Sequence, residues 1–504
     1  MSILGVDIGT TGVKAVTFSE EGRLLASSYR EYALKSPASG HLELDPREVL
    51  AAIRSVLGGT LAATRGDPVR SVATSALGEA AVPVDGAIEP VANAIVGFDA
   101  RGDAEAEAFR RRISNEEVFS IAGHAINSYH TIFKVLWRRD RDPASFARTK
   151  KFLCFGDFFI GALGMEPRID WSVAARTLAF DIREKRWSER ILSAAGLPSI
   201  FAEPVAPGEP VGVAGAGGAS LGLPKGSTVA GGLHDQPAGI LGAGIRPGES
   251  MLATGTVVCL GVRPTTVPAA APMVANNLCY YPTFGGGHIS IAWNFTGGSL
   301  IKWFRDQLSE ADRAEAERRG ADPYDLILDG LPSEPTRLVV LPHFTTTGTP
   351  WLDPKALGAI LGLRLTTTRK EIAKAILEGI AYEVKLNAEL LSSAGVEIRL
   401  YKAIGGAAKS PAWMQLYADV LDRPVAVLSV TEGAALGAAL LGGRAAGIYK
   451  SDREAEDVAA RAARIERIYE PRPEHASRYR ERFEVYRGLY PTLRETTHRI
   501  FALG

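Results

Sequence analysis

Four short segments of the chain carry residue types able to do chemistry. In "DIGTTGVK" an acid, Asp7, ends an apolar run that Gly9 and Gly12 then break, with Thr10, Thr11 and Lys14 around the break. Glycine allows close backbone approach, and successive amides with threonine hydroxyls form a concave set of donors suited to phosphate oxygens. Asp7 could orient a hydrated Mg2+, and Lys14 could neutralise phosphate charge. The spacing is not that of the GxxxxGK[ST] phosphate loop. A plain β-hairpin whose turn needs Gly and Thr accounts for the segment equally well.

The second segment, "GGLHDQPAG", places Asp235 at the end of an apolar strand and ahead of a helix. A carboxylate at such an edge can accept a proton from a hydroxyl, although alone it fits a helix N-cap better. His234 beside it reads as a structural hydrogen-bonder. In the third, "MLATGTVV", Thr254, Gly255 and Thr256 repeat the glycine-and-threonine logic and suit terminal phosphates, or a type II turn. In the fourth, "IGGAAKSP", Gly405 and Gly406 follow a strand at 400–404. Such a turn admits a flat adenine or ribose, or is an ordinary strand-to-helix turn.

These segments need elements to position them. Short apolar runs alternate with amphipathic ones, an α/β pattern. Runs 3–8, 13–18 and 24–32 predict an antiparallel meander feeding a mixed sheet. "DPREVLAAIRSVLGG" predicts a helix with Asp45 as cap, Pro46 first and Gly58 as stop. Residues 204–227, dense in Gly and Pro, read as loops and turns. A helix capped by Thr368 and Glu371 runs to Gly395, with Ile372, Ile376, Ile380 and Val384 on one stripe, and another spans 410–424. The tail after Lys450 reads as charged helix. A strand, a TG-rich break and a strand recur near the start of each half, which suggests a distant internal duplication.

Bulk properties exclude several classes. With 504 residues the chain exceeds one hydrophobic core. It has 57 basic and 57 acidic residues, so it lacks the excess positive charge that nucleic acid or a membrane surface requires. Cys154, Cys259 and Cys279 form no CxxC pair and read as buried thiols of a reducing compartment. No run approaches the ~18 apolar residues of a membrane span. A cytoplasmic protein is expected, with no nucleic-acid or membrane partner and with a homodimer among its open arrangements.

The order and spacing of the segments resemble the FGGY carbohydrate kinases. "YHTIFKVLW" is similar to the family's first signature, with Lys134 and Trp137 in place. "GAILGLRLTTTRKEIAKAILEGIA" is similar to the second, through Gly358, Gly362, Glu371 and Glu378. The resemblance covers roughly residues 1–445. It implies an α/β, actin-like ATPase (ribonuclease H-like) fold of two related domains, 1–245 and 246–504, with a cleft between them. The first domain would carry phosphate loop 1, the sugar pocket and the catalytic Asp; the second would carry phosphate loop 2, the adenosine site and the C-terminal helices. It further implies ATP and Mg2+ as cofactors and a small sugar or polyol as substrate. Asp7, Gly9, Thr10, Thr11 and Lys14 match the first phosphate loop, with Asp7 facing the metal, and Asp235 matches the base. Thr254, Gly255 and Thr256 match the second loop, and Gly405, Gly406 and Ala407 the adenosine turn.

The sugar pocket departs from the pattern. Where xylulokinases carry Gln-Met-His-Gly and glycerol kinases Gln-Arg-Glu, "SALGEAAV" offers Glu79 with Gly78 before it. "AIVGFDAR" lacks the usual tryptophan but keeps Asp99 and Arg101, which fit a surface ion pair equally well. Tyr129 and the Asp235–Gln236 pair look more like glycerol kinase. Glu79, Asp99, Tyr129, Asp235 and Gln236 are therefore the substrate candidates, for a ketose such as a pentulose first and for another polyol or a sugar acid second. An actin-like ATPase and a non-catalytic sugar sensor are the readings from other classes.

Overall fold

In the computed structural model, which describes residues 1–64, 66–99 and 101–503, the meander forms as its apolar runs predict. Strands β1 (Ser2–Ile8), β2 (Gly12–Ser19) and β3 (Leu24–Glu31) pair antiparallel in turn, with Asp7 opposite Lys14 across the first hairpin. Helix α1 (Pro46–Ala63) follows, and Asp45 caps it. The Gly58 stop is not observed: the helix runs five residues further, to Ala63. Gly59 lies where a Cβ would come within 2.7 Å of the Ser28 hydroxyl, so it serves close passage over β3, whereas the space around Gly58 is open. Strand β4 (Val69–Ala76) then pairs parallel to β1.

Helices α2 (Thr131–Arg141) and α3 (Trp171–Arg176) lead to β5 (Pro210–Val213), β6 (Thr228–Ala230) and β7 (Leu233–His234). The sheet order is β5–β6–β4–β1–β2–β3, with β7 also on β4. Residues 204–227, expected as loops, contain β5 and the short helix Ala216–Ser220, because antiparallel pairing with β6 overrides the weak local propensity. Helix α4 (Asp235–Gly242) leaves β7.

Next come β8 (Glu249–Thr254), β9 (Val258–Val262), β10 (His288–Asn294), α5 (Gly298–Leu308), α6 (Arg369–Ser393), β11 (Leu400–Ile404), α7 (Pro411–Leu421) and β12 (Val425–Leu428). Helix α8 (Gly433–Ala445), α9 (Asp452–Ala462), β13 (Ile465–Tyr469) and α10 (Pro473–Phe501) complete the chain. The charged tail thus contains a strand that its composition hides. The second sheet orders β10–β9–β8–β11–β12–β13. Its pairings, antiparallel, antiparallel, parallel, parallel, antiparallel, match the first sheet read from β3 to β5.

Two compact units result. Unit 1 holds Met1–Ile245, Cys279–Ile289 and Glu432–Arg464; unit 2 holds Arg246–Leu278, Ser290–Thr431 and Ile465–Gly504. A single cut after residue 245 therefore misplaces two segments. The reason is visible in α8, whose sequence GAALGAALLGGRA lets it seat on unit 1. A Cβ on Gly5 would lie 1.9 Å from the Ala435 carbonyl oxygen, and one on Gly437 would lie 2.0 Å from that of Ala238. Among the described residues no helix is long and apolar enough to cross a membrane.

Because backbone and not a flexible side chain blocks that space, Gly5→Ala is expected to destabilise the protein by about 1–3 kcal/mol. A chemical unfolding midpoint unchanged by the substitution would contradict this close packing of α8 on β1.

Candidate functional site

The turn joining β1 and β2 is held by its own backbone and by a tyrosine. Gly9 N–H donates to the Gly12 carbonyl (2.9 Å), and the Tyr32 hydroxyl donates to the carbonyls of Gly9 (2.5 Å) and Gly12 (3.1 Å). Thr10 and Thr11 stand at its partly exposed tip. Asp7, just before the turn, accepts from the Ser75 hydroxyl of β4 at 2.7 Å through Oδ1. Burial pushes its carboxyl up, while Ser75 and Lys14 oppose the rise. The Lys14 ammonium does not stand free: it pairs with both carboxylate oxygens of Glu432, at 2.8 and 3.0 Å, ahead of α8. Neither Tyr32 nor Glu432 was singled out in the sequence, since each is far along the chain or outside the motif.

Asp235 opens α4 and does not cap it; the cap position is His234, and no side-chain capping bond is made. Oδ1 of Asp235 is buried without a hydrogen-bond partner, as is Oε1 of Gln236. Nε2 of His234 lies 3.1 Å from that Oδ1 but off the line a hydrogen bond needs, and burial keeps the imidazole neutral. The side chain as a whole is 33% exposed, although Oδ1 is sealed. Burial, then the charges of Asp7 and Glu79, raise its pKa to about 7.

Glu79 is bound by Arg176, whose Nε donates to Oε1 at 2.5 Å. The guanidinium carbon lies 5.4 Å from the Tyr129 ring centre and 5.9 Å from that of Tyr281. His234 Nδ1 and the Tyr281 hydroxyl are hydrogen-bonded at 2.9 Å. Unit 1 thus gathers Glu79, Tyr129, Asp235 and Gln236 with three residues that sequence reasoning missed: Arg176, Tyr281 and His124, whose ring lies 5.0 Å from that of Tyr281. Arg176 stands in the segment "DWSVAARTLAFDIREKRW", where a charge inside an otherwise apolar helical run was the available signal.

Asp99 is a correction. Its carboxylate accepts from Leu42 N–H (2.6 Å) and from Arg101 Nε and Nη2 (3.0 and 2.7 Å), and its side chain has no exposed surface. Burial alone would raise this carboxyl, but the bonds from Arg101 and Leu42 hold it below the usual range. It is neither a surface pair nor open to substrate; it clamps the loop. The two signatures also do structural work. Lys134 donates to the carbonyls of Asp99 (2.5 Å), Arg101 (3.0 Å) and Ser128 (2.8 Å), and Glu378 accepts from Thr336 N–H (3.0 Å) and the Tyr479 hydroxyl (3.0 Å).

In unit 2 the two remaining segments meet. Gly405 has φ +99°, and a Cβ there would lie 2.7 Å from the Thr254 carbonyl oxygen. The Thr254 hydroxyl donates to the Ile404 carbonyl (2.7 Å), which leaves Gly255, Thr256, Gly405 and Gly406 as the exposed positions, with Ala407 beside them. Gly298 N–H donates to the Gly255 carbonyl (2.8 Å), seating the start of α5 on this turn; the "TGGS" before it was the unread signal.

Among the described residues no group of three or more His, Cys, Asp or Glu side chains is placed to hold a metal. Asp7 keeps Oδ2 free of protein hydrogen bonds, so a divalent ion there would rest on one carboxylate, water and phosphate oxygens. That donor set suits Mg2+.

Known proteins resemble this chain over most of its length. The model of the N-terminal domain of the FGGY family of carbohydrate kinases matches residues 2–242, and that of its C-terminal domain residues 251–446. A glycerol kinase of Symbiobacterium thermophilum is 30% identical over 472 residues, which cover 90% of this chain and 92% of that protein. A xylulose kinase of Lactococcus lactis is 24% identical over 506 residues, covering 99% and 98%. The crystal structure of xylulose kinase from Rhodospirillum rubrum superposes with a TM-score of 0.86 at 26% identity, covering 99% of this chain and all of that one.

A carboxyl that titrates near 7 in the fold and near 3.8 unfolded favours folding while protonated and loses that advantage as pH rises through 7. Asp235→Asn, permanently neutral, is expected to exceed the parent in stability by about 1–2 kcal/mol at pH about 8.5, discounted for the partial exposure of the side chain. The difference should vanish below pH about 4, as followed by chemical unfolding at each pH. A constant difference across the range would contradict the raised carboxyl.

Proposed function

The chain belongs to the FGGY family of carbohydrate kinases, ATP-dependent phosphotransferases acting on sugar and polyol hydroxyls, and from this we propose that it phosphorylates a hydroxyl of a small ketose such as a pentulose. The observation that carries the reading is the unpartnered, buried Oδ1 of Asp235, in a carboxyl whose pKa lies at about 7. Phosphoryl transfer asks for little covalent work from the protein: positioning, charge neutralisation and one base at the nucleophile. Asp235 accepts the proton of the attacking hydroxyl, and a base titrating near neutrality is matched to that task. Gln236 and Glu79 orient the acceptor, and Tyr129 flanks it.

The amides and hydroxyls of Gly9, Thr10 and Thr11 receive phosphate oxygens in unit 1. In unit 2, Thr256 and Gly255 offer a second amide-rich turn, and Gly405, Gly406 and Ala407 a flat backbone surface for adenosine. Mg2+, held through Asp7 and water, supplies charge neutralisation when the nucleotide is bound. A shorter polyol is the second reading, supported by the Asp235–Gln236 pair, Tyr129 and Glu79 together.

ATP consumption should depend on an added polyhydroxy compound; equal hydrolysis without one would favour a plain ATPase. Asp235→Ala should lower turnover by about 10²–10⁴-fold while nucleotide binding persists. The parent kcat/KM should rise with pH through about 7, as the base loses its proton. Binding of sugar and ATP without turnover would favour a sensor, and full turnover by the Ala variant would remove Asp235 as base.

A further inference from the structure

The acceptor cluster of unit 1 contains one cation, and it is already paired. Arg176 ends α3, a helix whose cap, Asp170, accepts from Ser172 N–H and Val173 N–H; the Ser172 hydroxyl oxygen in turn accepts from His234 N–H at 2.8 Å. The guanidinium is therefore delivered from a frame tied to the start of α4. Besides Nε, Nη2 of Arg176 also meets Oε1 of Glu79, and the two side chains are only 10% and 12% exposed. Glu79 sits at φ +64°, a conformation side chains rarely adopt, with its carbonyl accepting from the Thr131 hydroxyl at 2.9 Å. A Cβ on Gly78 would press on the His234 ring at 3.0 Å, so no longer side chain enters from that position.

Four buried polar atoms of the cluster that lack a protein partner are acceptors. Nδ1 of His124 donates to the Ala122 carbonyl (2.9 Å) and Nδ1 of His130 to that of Arg176 (3.0 Å). In the neutral rings that leaves each Nε2 a bare acceptor. Both Nε2 atoms are buried without partners, like Oδ1 of Asp235 and Oε1 of Gln236. The rings of the two histidines are 5.1 Å apart, and those of Tyr129 and His130 4.5 Å. Buried acceptors are satisfied by hydroxyl donors. A carboxylate brings no donor, and would meet Glu79 and Asp235 as like charges while the one guanidinium is already neutralised.

We propose that this site selects an uncharged polyhydroxy compound and excludes sugar acids, with the Glu79–Arg176 pair as the specificity determinant. The proposal rests on the kinase reading above and adds the charge class of its substrate.

The test is calorimetric binding, without nucleotide, of two matched pairs: D-xylulose against D-xylonate, and glycerol against glycerate. In the parent protein a neutral member should bind at least about tenfold more tightly than its acid partner. Glu79→Gln, which frees the guanidinium charge, should move that ratio toward the acid by about tenfold or more, and Arg176→Lys, which keeps the pair's charges, should leave its direction unchanged. Equal or tighter binding of the acid by the parent, binding of neither class, or an unchanged ratio in a folded Glu79→Gln protein would overturn the proposal. Should Glu79→Gln not fold, the parent's comparison decides alone. ATP consumption measured alongside separates the two readings: neutral ligands that bind without turnover sink the kinase reading and leave the charge selection standing.

Discussion

The close approach of helix α8 to β1 and α4 is the constraint on which the rest of unit 1 depends. Cβ atoms on Gly5, Gly437 or Gly242 would each fall about 2 Å from a backbone carbonyl oxygen of the facing element. Main chain therefore packs on main chain, and no rotamer change can relieve an intrusion. Asp7 lies one residue before the end of the strand on one side of this contact, and Asp235 starts the helix on the other. Their relation is fixed by rigid elements rather than by loops, which is what a proton acceptor working beside a phosphate-binding turn requires.

That rigidity has an electrostatic consequence. The carboxyls of Asp7 and Glu79 both raise the proton affinity of Asp235, after its own burial. Arg176 answers Glu79 directly. Lys14 offsets Asp7 only through space, because its ammonium pairs directly with Glu432. Asp235 is left with no ion partner, and its carboxyl carries the imbalance as a pKa near neutrality. The same burial that makes His124, His130 and His234 neutral removes them as competing bases. Between Asp235 and these histidines, Asp235 is the group left titrating near neutrality.

Features encoded over a few residues were legible in the sequence: the β1–β2 hairpin, the Asp45 and Thr368 caps, and the Ser410 start of α7. Each depends on contacts a few positions away. What was not legible depends on chain returning from a distance. Arg176 reaches Glu79 across 97 positions and Lys14 reaches Glu432 across 418, and no local period marks either. Asp99 was misread for the same reason, because the Leu42 amide and Glu43, which with Arg101 complete its clamp, lie far upstream. The compact units differ from a division at 245 in taking 432–464 into unit 1, where a run of Gly and Ala forms a packing surface that sequence alone does not mark.

The two sheets share one pairing pattern, yet their corresponding turns have diverged in a way that divides the chemistry. β1 carries an acid, Asp7, one residue before its end, whereas β8, its counterpart, ends in Thr254, whose hydroxyl is committed to Ile404. The turn after β8 offers exposed amides and one threonine hydroxyl, and Gly405 beside it offers backbone alone. Such a surface can bind and orient an anion or a flat ring, but it holds no group able to exchange a proton near neutrality. On the function proposed above, proton transfer and metal holding would fall to unit 1 and binding alone to unit 2, because the first sheet carries a carboxylate beside its turn and the second carries none at the matching place.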